Sequence, residues 1–224
     1  LKHYIFYNDD MHMILNEKNS FDSKLYRDIY SNYIKQLKDR KSYKHSFNEF
    51  INYLKERELF PCIFFSFSRK KCEEYAKSII NKLTNHEEEK EIDSIINRHM
   101  SGMFKDFNKL GQTATLRRIL ANGYGFHHSG LVHPLKEIQE ILFSKGLIKI
   151  LFATETFSVG VNMPTRTVVF TELCKYDGYV QGMRNLNTSE YTQMAGRSGR
   201  RGKDKNGTVI YYPIKDILSN HEIL

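Results

Sequence analysis

Cysteine is scarce: Cys62, Cys72 and Cys174 are the only three in 224 residues. No spacing among them suits a zinc site or a disulfide framework, so a reducing compartment is the natural reading. No apolar run is long enough to cross a bilayer, and the N-terminus lacks the basic, apolar and small-residue order of a signal peptide. No membrane partner is expected, and the chain reads as soluble and intracellular. It also lacks an initial methionine, starting at Leu1, which reads as a piece of something longer.

The residues present are ample for a core. The hydrophobic fraction is 40%, with 14 Tyr and 15 Phe, which excludes a generally disordered chain. Lys and Arg number 34 against 26 Asp and Glu, a net charge of +8. That surplus favours a polyanionic partner only mildly, because many proteins carry as much.

Residues 1–60 read as an approach segment. Two short apolar runs flank Asn8-Asp9-Asp10, a hairpin pattern. Leu25, Ile29, Tyr33 and Leu37 recur at helical spacing between Lys24 and Lys41. Ser46 to Glu49 forms a capping box before the face Phe47, Phe50, Ile51 and Leu54. From Pro61 the pattern becomes strand and helix in alternation. Cys62–Phe67 is an unbroken apolar run, as expected of a strand buried on both faces. Ser68 is placed to cap a helix whose stripe is Cys72, Tyr75, Ala76, Ile79, Ile80 and Leu83. Residues 85–120 read as charged helical material. Further strands are expected at Tyr124–His128, Leu147–Ala153, Thr167–Thr171 and Thr208–Tyr212, with a helix opened by Pro134 and stopped by Gly146. Such alternation predicts an α/β fold, a parallel sheet with helices on both faces, over residues 61–224.

In an open parallel sheet, ligands bind beyond the carboxyl ends of the strands. Those ends here carry Ser66-Phe67-Ser68-Arg69, His127-His128-Ser129-Gly130 and Thr154-Glu155-Thr156, the last followed by the turn Ser158 to Asn162. Hydroxyls, backbone amides and Arg at such places hold phosphate oxygens without reading bases. Each also has a plain structural reading: Ser68 as a simple cap, and His127-His128 as adjacent strand residues that point to opposite faces and so make a poor metal pair. The segment SEYTQMAGRSGRRG is harder to dismiss. Gln193, Arg197 and Arg200 stand at i, i+4 and i+7, which would put them on one helical face. Gly196 and Gly199 beside two arginines suggest close backbone approach to a bound group, with forked donors matching phosphate oxygens.

These strings, FSFSRKKCEEYA, GFHHSG, ILFATETFSVGVNMPTRTVVFT and YTQMAGRSGRRG, stand in the order of superfamily 2 helicase motifs IV, IVa, V and VI. Their wording, with TELCKYDG between motifs V and VI, resembles the Ski-like group of DExH-type RNA helicases, and the match runs from about Pro61 to Tyr212. The resemblance implies the second RecA-like domain, a three-layer α/β fold, with residues 1–60 as the exit from a first RecA-like domain. It implies RNA-backbone contacts at Ser66, Ser68, Arg69, His128, Ser129, Gly130 and Thr154. It implies a nucleotide-facing set of Gly160, Asn162, Gln193, Arg197 and Arg200, with Arg200 the arginine finger, Arg197 its partner and Gln193 the third catalytic member. Ser158-Val159 stands where the family usually has Ala-Met, and Ser198 where Ala is usual; the polar positions are intact.

Two motifs are absent. There is no GxxxxGK[ST] phosphate loop, since Gly202-Lys203-Asp204 lacks the upstream spacing and the hydroxyl. No DExH or DExD follows an apolar strand. The resemblance therefore implies half an active site, with ATP and Mg²⁺ as cofactors and the Mg²⁺ ligands supplied by the first RecA-like domain of the same protein. The implied partners are single-stranded RNA and exosome or Ski-type complex subunits, in cytoplasm or nucleus. Two alternatives stay open at this point: a DNA-repair or spliceosomal relative, and a degenerate binding module without ATP hydrolysis.

Overall fold

The structure is a computed structural model that describes residues 1–38, 47–100, 111–160, 163–214 and 216–219. The chain divides into two compact units, Leu1–Leu59 with Pro164–Leu224, and Phe60–Met163.

In the first unit, strands β1 (Lys2–Tyr7) and β2 (Asp10–Leu15) form the expected hairpin. Its two-residue turn holds Asn8 at φ 49° and Asp9 at φ 62°, the left-handed pair that a tight hairpin requires and that Asn and Asp tolerate. β1 then lies parallel to β9 (Thr208–Tyr211), and β9 lies parallel to β6 (Thr167–Phe170), giving the order β2-β1-β9-β6. Helix α1 (Ser23–Lys38) buries Tyr26, Ile29 and Tyr33. That corrects the expected stripe, because Leu37 is 47% exposed. The tyrosines turn inward because their hydroxyls find partners: Tyr26 donates to Leu218 O (2.7 Å) and Tyr33 to Asp216 Oδ1 (2.8 Å). Helix α2 (Phe47–Glu56) buries Phe50, Ile51 and Leu54 as its spacing predicts. Its expected cap, Ser46, lies outside the described residues. Phe50 stacks flat on Tyr212, with ring centroids 4.1 Å apart and 4° between planes.

In the second unit, β3 (Cys62–Phe65), β5 (Ile150–Ala153) and β4 (Tyr124–His127) are parallel in the order β3-β5-β4, and every one of their residues is buried. Helix α3 (Arg69–Ser78) follows β3 and stops at Ile79, which is extended at φ −79°, ψ 128°. The predicted stripe therefore ends early: Cys72 and Ala76 are buried, while Ile80 is 81% exposed. The charged helical stretch resolves into α4 (His86–Met100) and α5 (Gly111–Ala121). Helix α6 (His133–Ser144) has Pro134 in its first turn, and Gly146 follows its C-cap at φ +74°. The buried Gln139 amide of α6 accepts from Phe126 N (2.8 Å) and donates to Leu135 O (3.1 Å). Gly125 is required beside it, since a Cβ there would sit 2.8 Å from Gln139 Oε1.

Candidate nucleic-acid and nucleotide sites

The second unit gathers the predicted RNA-contact residues at the carboxyl ends of its strands. Ser66 follows β3 and is fully buried; its N–H donates to Ala153 O (3.0 Å), and its hydroxyl has no hydrogen-bond partner among the described residues. Ser68 is extended (φ −134°, ψ 124°), and its hydroxyl accepts from Lys71 N at 3.4 Å, capping α3. Arg69, in the first turn of α3, is exposed. After β4, His128 is 4% exposed and stacks on Phe126 at 5.9 Å. Its Nδ1 accepts from Gly130 N (3.2 Å), and its Nε2 lies 3.3 Å from the Glu73 carboxylate. Burial holds the His128 imidazole below its ordinary pKa, with Glu73 offsetting part of the shift. Ser129 and Gly130 are exposed. A Cβ on Gly130 would lie 3.4 Å from Arg69 Cδ and Nη1, so the two segments converge.

His127 points away from His128, as expected of strand neighbours. Its Nε2 meets Glu140 Oε1 of α6 at 2.8 Å, its ring stands edge-on to Phe157 at 4.8 Å, and burial again lowers its pKa. Thr154 follows β5; its N–H donates to His127 O (3.2 Å), and its hydroxyl shares a hydrogen bond with Thr156 (3.0 Å). The short helix α7 (Thr156–Gly160) brings the chain to Gly160. Asn162 lies outside the described residues.

The arginine segment belongs to the first unit. Helix α8 (Thr188–Ala195) begins with a capping box in which the Asn187 side chain accepts from Glu190 N (2.8 Å) and Glu190 accepts from Asn187 N (3.0 Å). Gln193 is exposed on this helix. The helix ends at Ala195 with Gly196 as its C-cap, so Gln193, Arg197 and Arg200 do not share a helical face, contrary to the spacing argument. Beyond the helix the chain bridges to the entry of β6: Thr165 N donates to Arg197 O (2.9 Å), and Gly199 N donates to Thr165 O (2.7 Å). Gly199 sits at φ +92° because the backbone approaches its own chain, with a Cβ there 3.1 Å from Gly207. The glycines thus serve a helix end and a chain crossing.

Arg200 opens a tight turn in which Lys203 N and Asp204 N both donate to Arg200 O at 3.0 Å. The Asp204 carboxylate closes that turn, accepting from Arg200 N (2.9 Å), Nε (2.8 Å) and Nη2 (3.0 Å). Arg166 Nε stands 3.7 Å from its Oδ1. The Arg200 guanidinium holds the Asp204 carboxyl below the usual carboxylate range. Sequence reasoning passed over Asp204; the i, i+4 spacing to Arg200 was the available signal.

A second feature that sequence reasoning missed is the antiparallel hairpin of β7 (Cys174–Asp177) and β8 (Gly182–Asn185), immediately before α8. Arg184 ties its two strands to the helix start, donating to Asp177 Oδ2 (2.5 Å) and, as a fork, to Glu190 at 2.8 and 2.7 Å. Lys175 reaches the same Glu190 at 2.7 Å. These cations hold the Glu190 carboxyl far below its ordinary pKa.

Comparison with known proteins accords with these motifs. The model of the helicase conserved C-terminal domain matches residues 104–202. The antiviral helicase SKI2 of Saccharomyces cerevisiae is 47% identical over 163 residues, which cover 72% of this chain and 12% of that one. mRNA transport homolog 4 of Caenorhabditis elegans is 51% identical over 150 residues, covering 66% and 14%. The human exosome RNA helicase MTR4 is 47% identical over 151 residues, covering 67% and 14%. The parallel strands and the match define the class: this is a RecA-like α/β helicase C-terminal domain of superfamily 2. Within that class, the chain belongs to the Ski-like DExH group. The matched stretch amounts to 12–14% of the length of these three relatives.

Proposed function

We propose that the protein containing this chain is an ATP-dependent 3′-to-5′ RNA helicase acting in exosome-linked RNA decay, with this chain as its second RecA-like half. The observation that carries the reading is the Arg200 turn, where a guanidinium is fixed in place and its Nη1 makes no hydrogen bond among the described residues. Arg197, Arg200 and Gln193 offer only donors or an amide, a set suited to a nucleoside triphosphate and unsuited to Mg²⁺, which prefers carboxylate oxygens. In this reading Arg200 and Arg197 hold the terminal phosphate of ATP, Gln193, Gly160 and Asn162 complete the nucleotide side, and Mg²⁺ is held by a first RecA-like domain. ATP supplies the phosphoryl group whose transfer drives movement along RNA.

On the nucleic-acid side, Arg69, Ser129 and Gly130 are the exposed donors, and Ser66, Ser68, His128 and Thr154 lie at the same strand ends. Donors of this kind grip phosphates and tolerate any sequence. Residues 1–60 lead in from the first RecA-like domain, and 61–224 carry the motifs. Single-stranded RNA, that domain, and exosome or Ski-type subunits are the partners, in cytoplasm or nucleus. The names of the relatives support the RNA and exosome assignments, since they include an exosome RNA helicase and an antiviral helicase.

The test is steady-state hydrolysis by the full-length protein carrying Arg200→Ala. The kcat should fall by about 10³ or more, as for arginine fingers elsewhere. The KM for ATP should change little, because the contact strengthens mainly in the transition state. Arg200→Lys should rescue poorly, since an ammonium lacks the planar fork. Near-normal kcat in Arg200→Ala would remove Arg200 from the reaction.

A further inference from the structure

We infer that Asp204 is a positioning residue that sets the direction of the Arg200 guanidinium, so that its free end meets the terminal phosphate of the nucleotide. The inference rests on the proposed function above. Its basis is how the five guanidinium N–H groups are shared out. Asp204 takes the Nε–H (2.8 Å) and one Nη2–H (3.0 Å), which is one whole edge of the plane. Among the described residues, both Nη1 protons and the second Nη2 proton keep no partner; that Nη2 proton and one Nη1 proton form the adjacent edge, a two-pronged donor for an anion. An Arg on a turn would otherwise sample many rotamers; one edge pinned to a carboxylate fixes where the other edge points.

The carboxylate is itself fixed. Its side chain is 6% exposed against 28% for Arg200, so the acid is the buried anchor and the base the presented group. The Arg200 N–H binds the same Oδ2 at 2.9 Å, and Arg166 Nε stands 3.7 Å from Oδ1. The turn carbonyl takes both Lys203 N and Asp204 N. Upstream, the Thr165 bridge holds Arg197 and Gly199 in register with the entry to β6. Backbone and side chain therefore close on the same short turn. A carboxylate would repel a phosphate, so its place on the pinned edge excludes it from direct nucleotide contact and leaves orientation as its contribution.

The experiment uses the full-length protein with Asp204→Asn, Arg200→Ala and the double variant. Asn keeps the size and one acceptor but loses the charge and the symmetric fork. Asp204→Asn should lower kcat by about 10- to 100-fold, the scale expected when a reacting group is displaced by a fraction of an ångström to one ångström. KM for ATP should move much less. In the Arg200→Ala background the same change should cost nothing further, because the two residues act as one unit. A purely structural Asp204 would instead slow both backgrounds alike, and that additivity overturns the proposal. A rise in kcat or tighter nucleotide binding in Asp204→Asn also overturns it, because Asp204 would then be a competitor of the phosphate. A readout independent of turnover is solvent exchange of the Arg200 Nε–H in protein labelled with ¹⁵N-arginine. It should be protected in the parent and exposed in Asp204→Asn; fast exchange in the parent would mean that the pair does not persist. Normal turnover in Arg200→Ala overturns the functional reading and this proposal together. Slow turnover there with additive loss in the double variant overturns this proposal alone.

Discussion

His3, His127 and His128 are each under a tenth exposed, and burial lowers the pKa of all three, that of His3 to about 4. Each is held as a neutral ring among specific neighbours. His3 Nδ1 meets the Tyr191 hydroxyl at 2.6 Å, His127 faces Glu140 with Lys136 nearby, and His128 faces Glu73 and Arg69. Between the unfolded value of about 6.5 and the lower folded values, the unfolded chain binds protons that the folded chain refuses, so stability falls as pH falls. The denaturation midpoint should therefore be lower at pH 5 than at pH 7, before the paired carboxylates Asp177, Glu190 and Asp204 titrate at lower pH still. His3→Phe, which cannot take up a proton, should shrink the difference in a urea titration at the two pH values. A midpoint that is flat from pH 7 to pH 5 would contradict the burial argument.

At the level of elements, the crossing of Gly199 and Gly207 brings two stretches of backbone together beside the arginine turn. A Cβ on Gly207 would stand 2.5 Å from Ser198 O, a contact with backbone and not with a side chain that could swing away. Gly207→Ala should cost about 1–3 kcal/mol by overpacking. Gly146→Ala, where nothing lies within 4 Å and only the positive φ is strained, should cost about 1 kcal/mol. Equal losses for the two in chemical denaturation would mean that the crossing has room to relax. The same turn marks where the sequence was legible and where it was not. β3 and β5 could be read because burial on both faces demands an unbroken apolar run, and Ser68 because a cap is a local interaction. The hairpin of β7 and β8 could not, because CKYD and GMRN are only four residues each and bury no side chain fully; its order comes from Arg184 reaching Asp177 and Glu190. The shared helical face of Gln193, Arg197 and Arg200 was misread for a related reason: spacing alone does not say where a helix stops, and Gly196 stops it. Asp204 entered the sequence reading only as a residue that fails the phosphate-loop pattern, since its partner is visible only once the turn has closed.

For the whole molecule, the net charge of +8 and the exposed donors after β3 and β4 make a testable pair of statements. The isolated chain should bind single-stranded RNA weakly and without marked base preference. Its affinity should fall with log salt by about 0.7 per phosphate contacted, the value for single strands. Thr154→Val should weaken all sequences alike if that hydroxyl serves a phosphate. Fluorescence anisotropy over a salt series reads both; a strong preference among homopolymers at equal salt would count against phosphate contacts. At this scale the four ordered motifs made the family legible, because their wording reflects chemistry shared across the group. The partition into two compact units was not, since it joins Leu1–Leu59 to Pro164–Leu224 across a long stretch of intervening chain.

That joining has a consequence for anyone who shortens the chain. Lys2 to Ile5 of β1 are the strand partners of Thr208 to Tyr211 in β9, and Lys2 N donates to Gly207 O. A version that begins at Asn16 would strip this cover and leave β9 as an open edge. Val209 and Ile210, now 1% and 0% exposed, would lie along a row of unpaired amides. Such an edge is a template for a strand from another molecule, so loss of the hairpin of β1 and β2 should promote self-association.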